Sequence, residues 1–233
     1  MKKEKNINNN LENVWGLHAK NSTFLSPAKD DNFIQDPIKK WIPKSKNKNK
    51  KLLDAGCGIG QYLDFTKKQG IDSIGLEISS EAAKIGIKKG HKIIIGDMRK
   101  MPFKNKEFDI VIAGGSIEHF KETSLGFSEI SRVLKKDGYL LFNVPYRYGL
   151  FTLAKLVQQV FGIWRCGYEK SFSKRSIKKY LTKNNLIILE IARPPYLATR
   201  KIFIAKLLEI LDKLSLKVGL GGPHIFLKCK KIK

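Results

Sequence analysis

Short β-rich segments alternate with helical segments from Leu52 to the carboxyl terminus. In each β-rich segment Ile, Leu and Val run together or alternate, which is typical of strands buried within a sheet. The segments are KLLDA, DSIGLEI, HKIIIGD, FDIVIAG, GYLLFNV, LIILEI and HIFLKCK. The alternation of strands and helices predicts an α/β fold, with a doubly wound sheet that is mostly parallel and has helices on both faces.

The predicted helix ends are marked by charge and by glycine. The segments QYLDFTKKQG and SSEAAKIGIKKG each contain two lysines just before a final glycine. Lysines in the last turn interact favourably with the negative end of the helix dipole, and glycine readily adopts the left-handed conformation that ends a helix. The seventh strand follows GLGGP, with no helix immediately before it to make a crossover. We therefore expect this last strand to run antiparallel to its neighbours.

The domain organisation follows from where these segments lie. Residues 1–50 are interpreted as an N-terminal arm that ends in the basic loop KSKNKNKK, and residues 51–233 as one domain. Two apolar insertions, which we call the cover segments, follow the fifth strand (146–170) and the sixth strand (196–222), and each is expected to add an apolar helix. These helices could pack as core, form an acceptor pocket or contact a membrane.

Composition limits the setting in which the protein works. The 45 lysines and arginines against 21 acidic residues give a formal charge of +24, which attracts phosphate backbones or anionic lipid surfaces, although an abundance of solvated surface lysines gives the same count. The amino terminus lacks the pattern of a secretory signal, and no apolar run is long enough to span a bilayer. The three cysteines form no CxxC pair, so we expect reduced thiols and no zinc site. A cytoplasmic protein, with or without peripheral membrane contact, is predicted.

The stretch LLDAGCGIG, residues 52–60, joins the first strand to the first helix of this domain through three closely spaced glycines. Such a turn lets a ligand approach bare backbone near the positive end of a helix dipole. The dinucleotide fingerprint G-x-G-x-x-G would require glycine or alanine at position 61, where this chain has Gln61. A nicotinamide cofactor is therefore disfavoured.

LLDAGCGIG resembles motif I of the class I S-adenosylmethionine-dependent methyltransferases, (D/E)-x-G-x-G-x-G, and the resemblance extends over residues 51–230, within the "type 11"-like branch that acts on small molecules and lipids. It implies a Rossmann-like fold and S-adenosylmethionine as cofactor. It also implies that Asp54 helps to hold the ammonium group, Glu77 the ribose hydroxyls and Asp97 the adenine amino group. The remaining predicted cofactor contacts are Gly56, Cys57, Gly58, Gly60, Ile78, Met98 and Gly114.

The predicted acceptor side follows the fourth strand, where Glu118 and His119 are adjacent. Histidine titrates near neutrality and can take a proton from a hydroxyl group, which favours oxygen as the methylated atom. Alternatively, both side chains only orient a helix. Relatives with a similar Glu-His pair in some cases bind a metal, but Gly114, Gly115 and Ser116 replace their further acids, so no metal is expected. The predicted acceptor contacts are Tyr146, Arg147, Tyr148 and Tyr168.

The sequence thus predicts methyl transfer to a small-molecule, lipid-like or lipid-linked glycan acceptor, at oxygen, with an anionic membrane surface as a further partner. An RNA methyltransferase or RNA-binding protein is the alternative. The segment NVPY, residues 143–146, resembles the (N/D)-P-P-(Y/F) motif of nucleic-acid amino-methyltransferases. It follows the fifth strand instead of the fourth and has Val144 at its second position, so methylation of adenine N6 is not expected. No separate nucleic-acid module is recognisable and the lysines are spread along the chain, so nucleic acid is the less favoured partner. The oligomeric state is not indicated.

Overall fold

The computed structural model describes residues 12–17, 19, 36–43, 50–164, 167–194, 210, 213–217 and 222–233. Within these residues, seven strands form one sheet in the order β3-β2-β1-β4-β5-β7-β6. The strands are β1 (Lys51–Ala55), β2 (Asp72–Glu77), β3 (Ile93–Ile95), β4 (Phe108–Gly114), β5 (Leu134–Pro145), β6 (Leu186–Ala192) and β7 (His224–Lys231).

The strand directions confirm the predicted topology. The β1 strand pairs in parallel with β2 and β4, β2 with β3, and β4 with β5. The β7 strand is antiparallel to both β5 and β6. The β5 strand begins earlier than the sequence indicates because its ladder continues through an irregularity at Asp137, whose φ of 63° is left-handed.

Helices flank the sheet and connect its strands. They are α1 (residues 12–17), α2 (Pro37–Trp41), α3 (Gln61–Lys68), α4 (Ser80–Lys88), α5 (Thr123–Val133), α6 (Leu150–Val160) and α7 (Lys174–Lys183), with 3-10 turns at Met98–Lys100 and Ile117–His119. The Ser79 side chain accepts a hydrogen bond from the Ala82 N–H and caps α4, while Ser173 and Ser176 form a reciprocal capping box at α7. At these two helices, short hydroxyl side chains therefore satisfy otherwise unpaired backbone donors.

The core lies on both faces of the sheet, as expected when strands alternate their side chains. On β4, Ile110 and Ile112 pack on one face and Val111 and Ala113 on the other, and all four are buried. The sheet therefore holds the carboxyl ends of β1, β2 and β4 side by side at one edge, where ligands bind in open α/β sheets.

The cover segments are described to different extents. The first contains α6, which confirms the predicted helix after the fifth strand. The second lies mostly outside the described residues, although residues 213–217 are helical. A search of the described residues found no helix with the length and apolar character needed to cross a bilayer.

The carboxyl end of the chain is fixed by a buried lysine. Lys231 Nζ donates hydrogen bonds to the backbone oxygens of Ser131, at 2.6 Å, and Leu134, at 2.8 Å, where α5 runs into β5. Lys231 is only 6% exposed, so both hydrogen bonds are buried, and buried backbone oxygens normally have a hydrogen-bond partner.

Replacement of Lys231 by Met keeps the apolar stem but removes both hydrogen bonds. We expect the free energy of unfolding to fall by about 2 kcal/mol, because buried acceptors are left unpaired. The matched control is Lys230→Met, which removes only the partly exposed ion pair between Lys230 and Asp137 and should leave stability unchanged. Chemical denaturation measures both, and equal stability of the two variants would contradict this role of Lys231.

Candidate active site

A cleft opens at the sheet edge where β1, β2 and β4 end. Its lining combines the glycine-rich turn, the end of β2, the segment after β4 and one residue of α1. The lining residues are Trp15, Gly56, Cys57, Gly58, Ile59, Gln61, Tyr62, Glu77, Ile78, Ala82, Gly114, Gly115, Ser116, His119 and Phe120. Of the predicted cofactor contacts, the structure brings Gly56, Cys57, Gly58, Glu77, Ile78 and Gly114 together here.

The glycines of the turn serve different purposes. Gly56, Gly58 and Gly60 have φ values of 80°, 54° and 89°, a left-handed conformation that favours glycine. A Cβ on Gly56 would lie 2.5 Å from the Ser116 Cβ, and one on Gly60 would lie 2.6 Å from the His91 ring. A Cβ on Gly58 would meet no atom within 4 Å. The surrounding packing therefore requires Gly56 and Gly60, whereas Gly58 leaves open space in the cleft.

The backbone donors of this turn are already used within the protein. The N–H groups of Gly56 and Cys57 both donate to the Leu76 oxygen, that of Gly60 donates to the Cys57 oxygen, and that of Gly58 donates to Glu77. These four N–H groups are therefore engaged within the protein instead of being directed at a ligand. The turn differs in this respect from a phosphate-binding loop, whose N–H groups point at the ligand.

Glu77 ends β2 and holds the turn in place. Its Oε2 accepts a hydrogen bond of 2.8 Å from the Gly58 N–H, and its Oε1 accepts one of 2.8 Å from the Ser79 N–H. Burial raises the pKa of this carboxyl group. Each carboxylate oxygen still has a second lone pair, so an ionised Glu77 in the cleft wall can accept hydrogen bonds from a pair of vicinal hydroxyl groups.

Asp54 lies at the end of β1 and is almost completely buried. Neither of its carboxyl oxygens has a hydrogen-bond partner in the described part of the chain. Burial, followed by the nearby charge of Glu77, raises the pKa of Asp54 to about 8. A buried carboxyl group of this kind fits a cationic ligand, since a positive charge nearby stabilises its ionised form.

The structure does not bring Asp54, Asp97 or Met98 into the lining of the cleft. Both Asp97 oxygens accept hydrogen bonds from the Arg99 guanidinium, the shortest 2.7 Å, and Oδ1 also accepts one from the Arg99 N–H. Arg99 in turn pairs with Glu122 at 2.8 Å. Met98 is buried, with its terminal carbon 3.6 Å from where a Cβ of Gly56 would lie. The contact of Asp97 with adenine stays a prediction.

Gly60 lies outside the cleft lining, whereas Cys57 is part of it. Gly60 holds the turn against His91, and Cys57, although it lines the cleft, directs its Sγ towards β2, where a Cβ on Gly75 would approach it to 2.5 Å. Cys57 and Cys229 are buried free thiols, and burial raises the pKa of each. No group of three or more His, Cys, Asp or Glu side chains within the described residues could hold a metal ion.

Sequence reasoning missed the aromatic part of the lining. Trp15 of α1 lies edge-on to the His119 ring, with the ring centroids 4.7 Å apart. Tyr62 donates a hydrogen bond of 2.7 Å to Asp36, which caps α2. Tyr62 is the second residue after the glycine motif and could have been found from its position. Trp15 carries no such signal, because about 35 residues separate it from β1.

On the predicted acceptor side, the side chains of Glu118 and His119 lie in different surroundings. His119 lines the cleft, and its Nδ1 lies 2.9 Å from the Tyr168 backbone oxygen. Glu118 is fully buried outside the lining, and its Oε2 has no hydrogen-bond partner among the described residues. Burial, followed by the charge of Glu169, raises the pKa of Glu118 to about 8.

The predicted acceptor contacts are not part of the cleft lining. Tyr146 is buried beneath the Arg193 guanidinium, which lies 5.0 Å from the centre of its ring. The side chains of Arg147, Tyr148 and Tyr168 are exposed. Only Tyr168 touches a cleft residue in a described hydrogen bond, through its backbone oxygen. Their role in acceptor binding stays a prediction.

Comparison with known proteins shows that this chain is similar to methyltransferases. Residues 53–142 match the family model of a methyltransferase domain. An uncharacterised protein of Methanocaldococcus jannaschii is 30% identical over 203 residues, which cover 84% of this chain and 87% of the relative. A malonyl-[acyl-carrier protein] O-methyltransferase of Legionella pneumophila is 27% identical over 59% of this chain and half of its own length.

A solved structure shows the same fold. A SAM-dependent methyltransferase of Thermotoga maritima, described as a possible histamine N-methyltransferase, superposes with a TM-score of 0.72 at 15% identity. The match covers 95% of this chain and 99% of the other. At this identity the likeness extends to the fold alone.

Replacement of Glu77 by Gln should weaken S-adenosylmethionine binding roughly 10- to 100-fold, because charge-assisted hydrogen bonds to the ribose are lost. Isothermal titration calorimetry measures the affinity. Glu190→Gln makes the same chemical change on β6, remote from the cleft, and should bind as the wild type does. Unchanged affinity in Glu77→Gln would contradict the ribose assignment.

Binding of S-adenosylmethionine at pH 6.5 should release a proton from Asp54. In the free protein its pKa of about 8 keeps this carboxyl group protonated, and the ammonium group of the cofactor lowers that pKa. Calorimetry in buffers of different ionisation enthalpy counts the protons. Asp54→Asn should release fewer, and equal release in both proteins would contradict contact between Asp54 and the ammonium group.

The same pKa shift predicts how stability depends on pH without cofactor. The pKa of Asp54 is higher in the folded protein than in the unfolded chain. The contribution of the protonated Asp54 to the stability of the folded protein is therefore fully present below about pH 4 and is lost as the pH rises through about 8. The melting temperature should therefore fall less between pH 5 and pH 9 in Asp54→Asn than in the wild type. A parallel fall in both proteins would contradict the shift.

The glycine turn, the two buried acids that end adjacent strands and the relationship over most of the chain lead to one conclusion. This chain belongs to the class I S-adenosylmethionine-dependent methyltransferases.

Proposed function

We propose that this methyltransferase transfers its methyl group to an oxygen atom of a small or lipid-like acceptor, and that His119 is the base. S-adenosylmethionine supplies an electrophilic methyl group, so the protein has to position the acceptor in line, exclude water and remove a proton. The cofactor would be held by Glu77, Asp54 and the turn at Gly58.

The proposal is based on the position of His119. It lies in the wall of the cleft, on the segment that follows β4. A carbonyl oxygen can only accept, so the 2.9 Å contact with Tyr168 places the proton of the neutral ring on Nδ1. Nε2 is then the ring nitrogen that can take a proton, and imidazole is well suited to this near neutral pH.

The surroundings of His119 favour an apolar acceptor in a site that excludes water. Trp15 packs edge-on against the imidazole, and Phe120 and Ile78 line the same cleft. Removal of water strengthens the electrostatic interactions around a reacting hydroxyl group and suppresses side reactions. The similarity to an O-methyltransferase of Legionella pneumophila supports oxygen as the methylated atom.

Methylation of RNA is the second candidate, and one observation favours it. The exposed face of α7 carries cations and no acidic residue: Lys174, Arg175, Lys178, Lys179 and Lys183. Such a face can contact a phosphate backbone, and binding through it would weaken steeply as the salt concentration rises.

Transfer of a radiolabelled methyl group to lipid, small-molecule and RNA fractions of a cell extract separates these candidates. We expect label in the lipid or small-molecule fraction, in a linkage that behaves as an ether or ester. Label confined to RNA would replace the proposed function by the second candidate. Label in an amine would leave methyl transfer in place and overturn the assignment to oxygen.

His119→Gln should lower the rate of methyl transfer roughly 100-fold or more, the contribution expected of a general base, while cofactor affinity changes little. Glu118→Gln is the matched control at the adjacent residue. Because the pKa of Glu118 is about 8, its carboxyl group is mainly neutral at pH 7, and an amide should substitute for it with little loss. Equal rates in His119→Gln and the wild type would refute the base assignment.

A further inference from the structure

Among the side chains of α6 that the structure describes, several large apolar ones are exposed while a threonine and a lysine are buried. Its apolar side chains Leu153, Leu156, Val157 and Val160 are between 49% and 83% exposed. Phe161 and Ile163, which follow directly, are 72% and 60% exposed. We call these six residues the apolar face. A helix that packs on a protein core normally buries such a stripe and exposes its polar side.

Polar contacts on the buried side hold α6 in this orientation. Thr152 Oγ1 donates a hydrogen bond of 2.7 Å to the Tyr146 oxygen at the end of β5. Lys155, whose side chain is 4% exposed, pairs with Glu169 at 3.0 Å and donates to Ser171 Oγ at 2.7 Å. Rotation of the helix to bury its apolar face would separate this buried ion pair, which is strongly unfavourable. The outward direction of the apolar face is therefore fixed by the fold.

The chain on either side of α6 carries almost only positive charge. Between Gly138 and Leu189 the only acidic residue is Glu169, and it is paired with Lys155. The same stretch includes Arg147, Lys170 and the five exposed cations of α7. With a formal charge of +24 on the whole chain, a second copy would be repelled and an anionic surface attracted.

Aromatic residues flank the apolar face at both ends. Tyr148, 55% exposed, precedes α6, and Trp164 follows it, with its indole N–H donating to the Gly167 oxygen at 2.9 Å. Tyrosine and tryptophan favour the boundary between lipid chains and headgroups. An 11-residue helix is too short to span a bilayer but can lie in the plane of that boundary.

We propose that the apolar face of α6 docks on an anionic membrane, with the helix lying in the plane of the interface. Since β5 runs from the sheet edge of the active site almost directly into α6, docking would place that edge close to the lipid surface. The docking itself is independent of catalysis. Its use, which is delivery of a lipid-like acceptor, rests on the proposed function.

Vesicle flotation tests the docking with the full chain, on phosphatidylcholine vesicles with and without phosphatidylglycerol. The test variant is Leu153→Glu/Val160→Glu, which places charge on the apolar face. The matched control is Ile87→Glu/Leu125→Glu, which removes two large apolar side chains that are 46% and 50% exposed on α4 and α5. Both variants change the net charge equally, so electrostatic attraction alone would affect them alike.

The wild type should bind the anionic vesicles and bind phosphatidylcholine alone much more weakly. The test variant should partition at least about tenfold less than the wild type, and the control within about twofold of it. Unchanged melting temperature and cofactor affinity confirm that both variants fold. Equal binding of the two variants, or no binding by the wild type, would overturn the proposal. So would self-association that the test variant abolishes, since the apolar face would then bind a second copy.

Methyl transfer distinguishes failure of the docking from failure of the proposed function. Methylation of a lipid or small-molecule fraction in the absence of vesicles would support the proposed function even if flotation shows no binding. Flotation that depends on the apolar face, without label in any lipid or small molecule, would support docking and contradict the proposed acceptor.

Discussion

The site depends on two carboxyl groups that the sheet buries at the ends of adjacent strands. Glu77 uses both of its oxygens to hold the glycine turn, while Asp54 lies behind the turn with neither oxygen paired among the described residues. Burial raises the pKa of both carboxyl groups, and the nearby charge of Glu77 raises that of Asp54 further. A cationic ligand bound beside these carboxyl groups would stabilise their ionised forms, which is why we expect them to favour the sulfonium and ammonium groups of S-adenosylmethionine.

The predicted acceptor side also contains buried charged side chains, but here two of them neutralise each other. Lys155 and Glu169 neutralise each other in a buried pair, and Glu118 beside them has a pKa raised by burial. This polar layer supports the segment from which His119 reaches the cleft. It also orients α6 so that its apolar face is exposed on the protein surface. The position of the proposed base and the proposed membrane contact therefore depend on one buried polar layer.

Local sequence determined much of the fold and part of the site. Strand directions, helix caps and the positions of Glu77 and the glycines follow from short-range periodicity and from turns that require left-handed residues. The Asp97–Arg99 pair could not be foreseen, because the same acid at a strand end can bind a ligand or a neighbouring guanidinium. The contact of Trp15 with His119 joins distant parts of the chain. The outward apolar face of α6 depends on an ion pair that periodicity cannot reveal.

A crystal structure with bound S-adenosylmethionine tests the central claim most directly. The account predicts ribose hydroxyl groups within hydrogen-bonding distance of Glu77 and an ammonium group on the side of the turn where Asp54 lies, reached directly or through water. A cleft that stays empty at saturating concentration, or a cofactor bound with these two carboxyl groups out of reach, would contradict it.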